Sequence, residues 1–212
     1  VFCVVGKADW ENVLEEAKKF PKISKKIENI KIIKKNDSLI EKRKGIDQAH
    51  EVLGFHMPNL TDKNRYAAEI FDSILGGGMS SRLFQEVREK RGLCYAIKTN
   101  LEQSRDYAYE IVYSGTVKEK VNEIKKIVLR EIKKLKELKQ KEFDSAKETL
   151  IGLKQINKEK CDSTMVDLLS EEIGGNAENY YDYEKMINKV KLEDVRNLSK
   201  LKGYSFVALL PG

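Results

Sequence analysis

The sequence predicts a fold that mixes β-strands with α-helices, and three patterns carry that prediction. Two strand patterns, at about 94–103 and 107–115, flank the turn Ser104-Arg105-Asp106, which predicts an antiparallel hairpin. In the segment 117–139, apolar residues recur every three or four positions, which is the period of an amphipathic α-helix. The chain ends with a further apolar strand pattern at 204–210.

The first 45 residues predict a piece of one domain followed by a connection. Residues 1–6 have the composition of a buried strand, and a helix pattern follows at about 10–20. A lone strand–helix unit has nothing to pair with in this stretch, so we interpret 1–21 as a fragment of something longer. Residues 22–45 are rich in Lys, Asn and Ile and predict a linker. This linker would contain short edge strands at Ile30–Lys34 and Ser38–Lys42.

The range 46–212 predicts one domain that alternates strands and helices. A strand pattern over 46–57 stops at Pro58, and an amphipathic helix follows at about 62–75. A short charged helix at about 80–90 is broken by Gly92, a usual residue after a helix end. The remaining predicted helices lie at about 141–156, 160–173, 178–188 and 192–200.

Composition excludes several functional classes. The 212 residues carry a net charge of +6, and the mean hydropathy of −0.53 comes with no apolar run long enough for a membrane span. The charge is mostly lysine without an interleaved aromatic stripe, so we favour a solvated surface over nucleic-acid binding. Three distant cysteines, Cys3, Cys94 and Cys161, and the absence of a signal segment favour a reducing, cytoplasmic compartment.

The most unusual stretch is Gly76-Gly77-Gly78-Met79-Ser80-Ser81, in which either serine can begin the next helix. A P-loop would need Lys-Ser or Lys-Thr after its last glycine, and none is present there. The dinucleotide-binding pattern fails as well, because its third glycine is missing and a helix precedes the loop instead of a strand. Both phosphate-binding interpretations are therefore poor.

Few residues in the chain could carry catalytic chemistry. His50 and His56 are the only histidines, and no zinc-peptidase motif contains them, so we predict no metal site and no Ser–His triad. Cys94 lacks a nearby histidine, which favours an inert thiol over a nucleophile. Arg88 and Tyr95 remain, on either side of the break at Gly92. A guanidinium and a phenol suit peptide carbonyls or an oxyanion, although spacing alone favours a surface arginine and a half-buried strand tyrosine.

The stretch from Leu75 to Tyr95 closely resembles the signature of the second domain in the family of pitrilysin, insulinase and mitochondrial processing peptidase, which are zinc peptidases of the inverzincin type. Other segments are similar to this family in order and spacing. They are Gln48–Phe55, Ser114-Gly115-Thr116 and Lys191–Val195, and Gly6-Lys7-Ala8-Asp9 resembles the end of the family's first domain.

The resemblance implies an α+β fold in which helices pack on one face of an antiparallel sheet. It implies that 1–21 are the last strand and helix of a first, zinc-binding domain, that 22–45 are a linker, and that 46–212 are the second domain. The resemblance also implies that an H-x-x-E-H helix and a later glutamate hold zinc in the first domain, where the glutamate inside the motif activates water. This chain has no H-x-x-E-H motif. We therefore expect no cofactor in the chain itself and no activity of the chain alone.

The resemblance also implies roles for individual residues. Arg88 and Tyr95 match the family's contacts to the substrate backbone, and Gly76, Gly77 and Gly78 match its glycine-rich loop beside the peptide. The implied function is the substrate-binding half of a zinc endopeptidase, and the alternative is a non-catalytic scaffold or partner subunit. The expected partners are a zinc domain or homologous subunit and a peptide, with a homodimer as a further possibility.

Overall fold

A computed structural model describes residues 1–21 and 32–212, and its centre is one five-stranded sheet. In chain order the strands are β1 (Ser38–Arg43), β2 (Ala49–His56), β3 (Cys94–Gln103), β4 (Ala108–Thr116) and β5 (Ser205–Pro211). Their order across the sheet is β1-β5-β2-β4-β3. All neighbours are antiparallel except β1 and β5 at the edge, which are parallel. The predicted α+β fold and the β3–β4 hairpin are confirmed.

The helices agree with the predicted positions to within a few residues. They are α1 (Trp10–Lys18), α2 (Arg65–Gly76), α3 (Val121–Lys134), α4 (Gln140–Asn157), α5 (Cys161–Gly174), α6 (Tyr183–Lys189) and α7 (Leu192–Leu198). Shorter pieces are a π-helical segment, Phe84–Glu89, and 3₁₀ turns at Lys118–Lys120, Leu135–Glu137 and Ala177–Tyr180. No helix in the described parts of the chain has both the length and the apolar character needed to cross a bilayer.

The core lies between one face of the sheet and the helices. Along β2 the side chains alternate, so that Leu53 and Phe55 are fully buried while Val52 and His56 on the other face are only partly covered. Helix α2 contributes Ile70 and Phe71 to this core and α3 contributes the equivalent apolar stripe. Each such side chain stabilises the fold by about 1.5–3 kcal/mol relative to exposure. Lys126, Lys133 and Lys134 of α3 are exposed, as its amphipathic pattern predicts, whereas the ammonium of Lys125 lies 4.3 Å from the centre of the Phe206 ring.

The N-terminal part of the sequence differs from its prediction. Residues 1–6 do not form a strand, and Val1, Phe2 and Val4 are exposed, so that prediction is wrong. The physical reason is that a strand needs a hydrogen-bonding neighbour, and no described strand pairs with this segment.

The predicted edge strands between residues 22 and 45 have different outcomes. The one at Ile30–Lys34 lies partly outside the described residues, and its described part, 32–34, is not in a strand. The one at Ser38–Lys42 is confirmed as the edge strand β1, which joins the main sheet from within the predicted linker. The division into 1–21, 22–45 and 46–212 itself stays a prediction.

Candidate functional site

The glycine-rich loop connects the end of α2 to the π-helical segment, and close packing accounts for its first two glycines. A Cβ atom on Gly76 would lie 2.2 Å from the side chain of Thr99 on β3. A Cβ on Gly77 would lie 2.6 Å from the backbone of Ser73. Gly78 has a φ of 112°, which side chains other than glycine rarely adopt. The three glycines therefore let the chain pass tightly from α2 to the next helix.

The two serines of the loop occupy different environments. Ser80 is exposed, whereas Ser81 is buried and its hydroxyl donates to the carbonyl of Gly78 at 2.6 Å. The following helix begins through the backbone, because the amide of Gln85 donates to the carbonyl of Ser81 at 3.0 Å. The carbonyl of Ser81 thus accepts the first hydrogen bond of this helix, while its hydroxyl stabilises the preceding loop through Gly78.

An ion pair fixes the loop to α4. Arg82 donates from Nε and Nη2 to the two carboxylate oxygens of Glu142, each at 2.7 Å. This two-pronged geometry is the strongest form of an arginine–carboxylate contact. It sets the position of the helix that carries Arg88 relative to the start of α4.

Arg88 lies near the end of the π-helical segment with its charge exposed. Its guanidinium carbon is 4.9 Å from the centre of the Phe84 ring, and no described carboxylate pairs with it. The nearby carboxylate of Glu86 instead accepts from Lys90 at 2.6 Å and from Arg91 at 2.7 Å. These hydrogen bonds lower the pKa of Glu86 to about 2. Arg88 therefore remains able to bind an external carbonyl or carboxylate.

Tyr95 lies where the chain turns back into β3. Gly92 has a φ of 57°, which ends the helix, and the amide of Leu93 then donates to the carbonyl of Val87 at 3.0 Å. The pairing with β4 is irregular between Cys94 and Ala96, so Tyr95 lies at a bulge. Bulges re-aim side chains at the ends of strands. Tyr95 is 64% exposed, and its hydroxyl bonds to no described residue.

Cys94, the first residue of β3, is partly buried and lies between Gly92 and Tyr95 in the sequence. Burial raises the pKa of Cys94 to about 11, and the positive charge of Arg88 opposes this shift while Glu51 adds to it. The thiol is therefore protonated at neutral pH, which supports an inert cysteine. Arg88 and Tyr95 are both exposed and lie on either side of Gly92.

A buried carboxyl beneath this region was missed in the sequence. Glu51 on β2 is completely buried and accepts from the hydroxyl of Ser114 at 2.7 Å, while its second oxygen has no described partner. Burial raises the pKa of Glu51 to about 7, although the Ser114 hydrogen bond and Lys125 oppose the shift. The sequence signal for this buried carboxyl is the position of Glu51 in the alternating strand, where it shares the inward face with Ala49 and Leu53.

The histidines do not form a metal site. His50 Nδ1 is 2.9 Å from the hydroxyl of Tyr113, and His56 Nε2 is 3.1 Å from the carbonyl of Lys35. Six positions along one strand separate the two histidines by about 20 Å. Within residues 1–21 and 32–212, no three His, Cys, Asp or Glu side chains come together as metal ligands. The described residues do not fit a zinc ion, and no zinc chemistry is assigned to them.

Comparison with known proteins identifies the family. The family model described as the peptidase M16 inactive domain matches residues 1–150. An uncharacterised zinc protease from Rickettsia bellii is 32% identical over 154 residues, which are 72% of this chain and 35% of that protein.

Solved structures share the fold. The crystal structure of a protease from Helicobacter pylori has a TM-score of 0.84 at 20% identity, over 98% of this chain and 54% of that one. The peptidase M16 inactive domain from Pseudomonas fluorescens has a TM-score of 0.71 at 24% identity, over 84% of this chain and 44% of that one. The chain thus spans about half or less of the length of these relatives. The sequence resemblance is confirmed, and the chain belongs to the peptidase M16 inactive-domain family.

Proposed function

We propose that this chain is the substrate-binding half of a zinc endopeptidase whose zinc ion is held by a separate domain. Membership of the inactive-domain family supports this proposal, as does the description of relatives as zinc proteases. The observation that carries it is the arrangement around Gly92, where an unpaired guanidinium and an exposed phenol lie on either side of one turn.

In this proposal the chain binds and orients the peptide. Arg88 donates hydrogen bonds to a carbonyl oxygen of an extended substrate, which its planar, permanently charged guanidinium suits. The hydroxyl of Tyr95 donates to the oxyanion that develops at the scissile carbonyl, an interaction that is strongest in the transition state. The loop of Gly76, Gly77 and Gly78 lies beside the peptide in this proposal. Gly78 leaves open space on the loop surface, whereas Gly76 and Gly77 allow the close packing that holds the loop in place. Activation of water belongs to the zinc-binding domain.

We further propose how this half is assembled. Residues 1–21 would belong to the zinc domain, residues 22–45 would link it to 46–212, and the partner would be that domain or a homologous subunit, with a homodimer as another arrangement. We also propose a cytoplasmic location, since Cys3, Cys94 and Cys161 are unbridged thiols.

The test joins the chain to its zinc-binding domain and measures cleavage of a fluorogenic peptide. Tyr95→Phe should lower kcat/KM by about 100-fold, as loss of one oxyanion donor does elsewhere, and Arg88→Ala should lower it by about 10- to 100-fold. Matched controls are Arg105→Ala in the exposed β3–β4 turn and Tyr181→Phe on another exposed surface. Both controls should keep the activity of the unaltered protein.

Two results would contradict the proposal. Unchanged kcat/KM in Arg88→Ala and Tyr95→Phe would show that the assigned roles are wrong. An assembled protein that cleaves no peptide would instead favour the non-catalytic scaffold.

A further inference from the structure

A cleft of about 370 Å³ lies beside the glycine-rich loop, and neither Arg88 nor Tyr95 lines it. One wall is formed by the end of α2 and the loop, and the other by the start of α4. Polar residues that line the cleft include Ser73, Gly77, Ser80, Lys139, Lys141 and Ser145. Because its wall includes Gly77 and Ser80, anything bound in the cleft contacts the loop that we place beside the substrate.

The cleft carries excess positive charge. Lys139 and Lys141 are exposed at its edge, and neither pairs with a carboxylate within residues 1–21 and 32–212. Its lining also contains the carboxylate of Glu142, but both oxygens of this group are held by Arg82 at 2.7 Å. The two lysine charges therefore remain uncompensated at the cleft.

Free hydrogen-bond donors accompany the lysines. The hydroxyls of Ser73, Ser80 and Ser145 make no hydrogen bond to any residue that the structure describes. Ammonium and hydroxyl groups can all donate to a carboxylate, which accepts through two oxygens. Ile74 and Ala146 provide an apolar base that the methylene groups of a side chain can cover. This combination fits an aliphatic chain that ends in a negative charge.

We propose that the cleft is a specificity subsite for an acidic side chain of the peptide substrate, an inference that rests on the proposed function. Arg88 follows Ser81 by seven residues, most of them in the helical stretch that includes Phe84–Glu89. A rise of at most about 1.5 Å per residue separates the two backbone positions by about 10 Å. An extended peptide covers about 3.3 Å per residue. The acidic residue therefore lies about three positions from the residue whose carbonyl Arg88 binds.

The experiment measures binding to the 212-residue chain by ¹⁵N NMR titration, without cleavage. Two eight-residue Ala/Ser peptides with blocked ends differ only in one central residue, Glu or Gln. The Glu peptide should bind about 3- to 10-fold more tightly, the range expected for two exposed ion pairs. Its binding should shift the amide signals of Gly77, Ser80 and Ser145.

Lysine variants test whether the preference belongs to the cleft. Lys139→Gln/Lys141→Gln should bring the ratio of the two dissociation constants to about 1. The control Lys126→Gln/Lys160→Gln removes the same charge from exposed positions on α3 and before α5, and it should keep the preference. Equal binding of both peptides, or an equal loss of preference in the control, would overturn the proposal.

Failure of the subsite and failure of the proposed function give different results. Arg88→Ala should weaken both peptides by the same factor and leave their ratio unchanged. If the cleavage assay shows no effect of Arg88 and Tyr95 but the preference disappears with Lys139 and Lys141, the cleft is an acidic-peptide site and the catalytic assignment is wrong.

Discussion

Replacement of Gly76 by alanine should destabilise the protein, because the added methyl group would collide with the sheet. An ideal Cβ at this position lies 2.2 Å from both Cγ2 and Oγ1 of Thr99 and 2.6 Å from its Cβ. Atoms do not approach this closely, so α2 or β3 must shift. Threonine is branched at Cβ and short, so its side chain has few alternative positions.

The size of the effect follows from two opposing contributions. Overpacking of a well-packed region costs about 1–3 kcal/mol. Gly76 is also the last residue of α2, where the greater helix propensity of alanine recovers at most about 1 kcal/mol. We therefore expect the free energy of unfolding of Gly76→Ala to fall by about 1–2 kcal/mol.

Urea unfolding followed by circular dichroism measures this change. The control is Gly152→Ala in α4, where an added Cβ meets nothing within 4 Å and stability should stay equal or rise by up to about 1 kcal/mol. Thr99→Ala removes two of the three colliding atoms. The free energy of unfolding lost by Gly76→Ala/Thr99→Ala should therefore be smaller than the sum of the losses in the two single variants. A Gly76→Ala protein as stable as the original, or strictly additive costs, would refute the argument.

Three further predictions concern stability. Glu51→Gln should weaken the pH dependence of the free energy of unfolding. Folding raises the pKa of Glu51 from 4.5 to about 7, so between these pH values the folded state retains a proton that the unfolded state releases. The stability of the original protein therefore falls as pH rises through this range. Urea unfolding should show the original protein losing about 3 kcal/mol more than Glu51→Gln between pH 4.5 and pH 8, and parallel curves would contradict this. Arg65→Leu should lower the free energy of unfolding by about 3–5 kcal/mol, because the buried carboxylate of Glu171 loses its ion-pair partner at 2.5 Å. A decrease below about 1 kcal/mol in the same assay would contradict a stabilising role for this buried pair. Gly92→Ala should lower the thermal midpoint by an amount equivalent to about 1–2 kcal/mol, because the φ of 57° strains a residue with a Cβ, and an unchanged midpoint would argue against this turn.

Local periodicity made most of the fold predictable. The β3–β4 hairpin and α3 follow patterns that lie within a few turns of chain, and the structure has both. The segment 1–6 has an equally apolar composition but no described neighbour to pair with, so its pattern did not produce a strand. The parallel pairing of β1 with β5 could not be predicted from the sequence either, because more than 150 residues separate the two strands and no turn links them directly.

The candidate site was predictable only in part. The glycine triplet stood out in the sequence, but its packing reason depends on Thr99, which reaches Gly76 only after the chain has folded. The pair of Arg82 and Glu142 spans 60 residues and has no local signal. The roles of Arg88 and Tyr95 came from the family resemblance, and they stay predictions until activity is measured.

The most direct test of the account is inhibition of the assembled peptidase by a peptide that carries a tetrahedral phosphonate in place of the scissile bond. Such a group imitates the oxyanion that we assign to the hydroxyl of Tyr95. We predict that Tyr95→Phe raises the inhibition constant by the same factor, about 100, by which it lowers kcat/KM. An inhibition constant that Tyr95→Phe leaves unchanged would contradict the assigned role of this chain in transition-state binding.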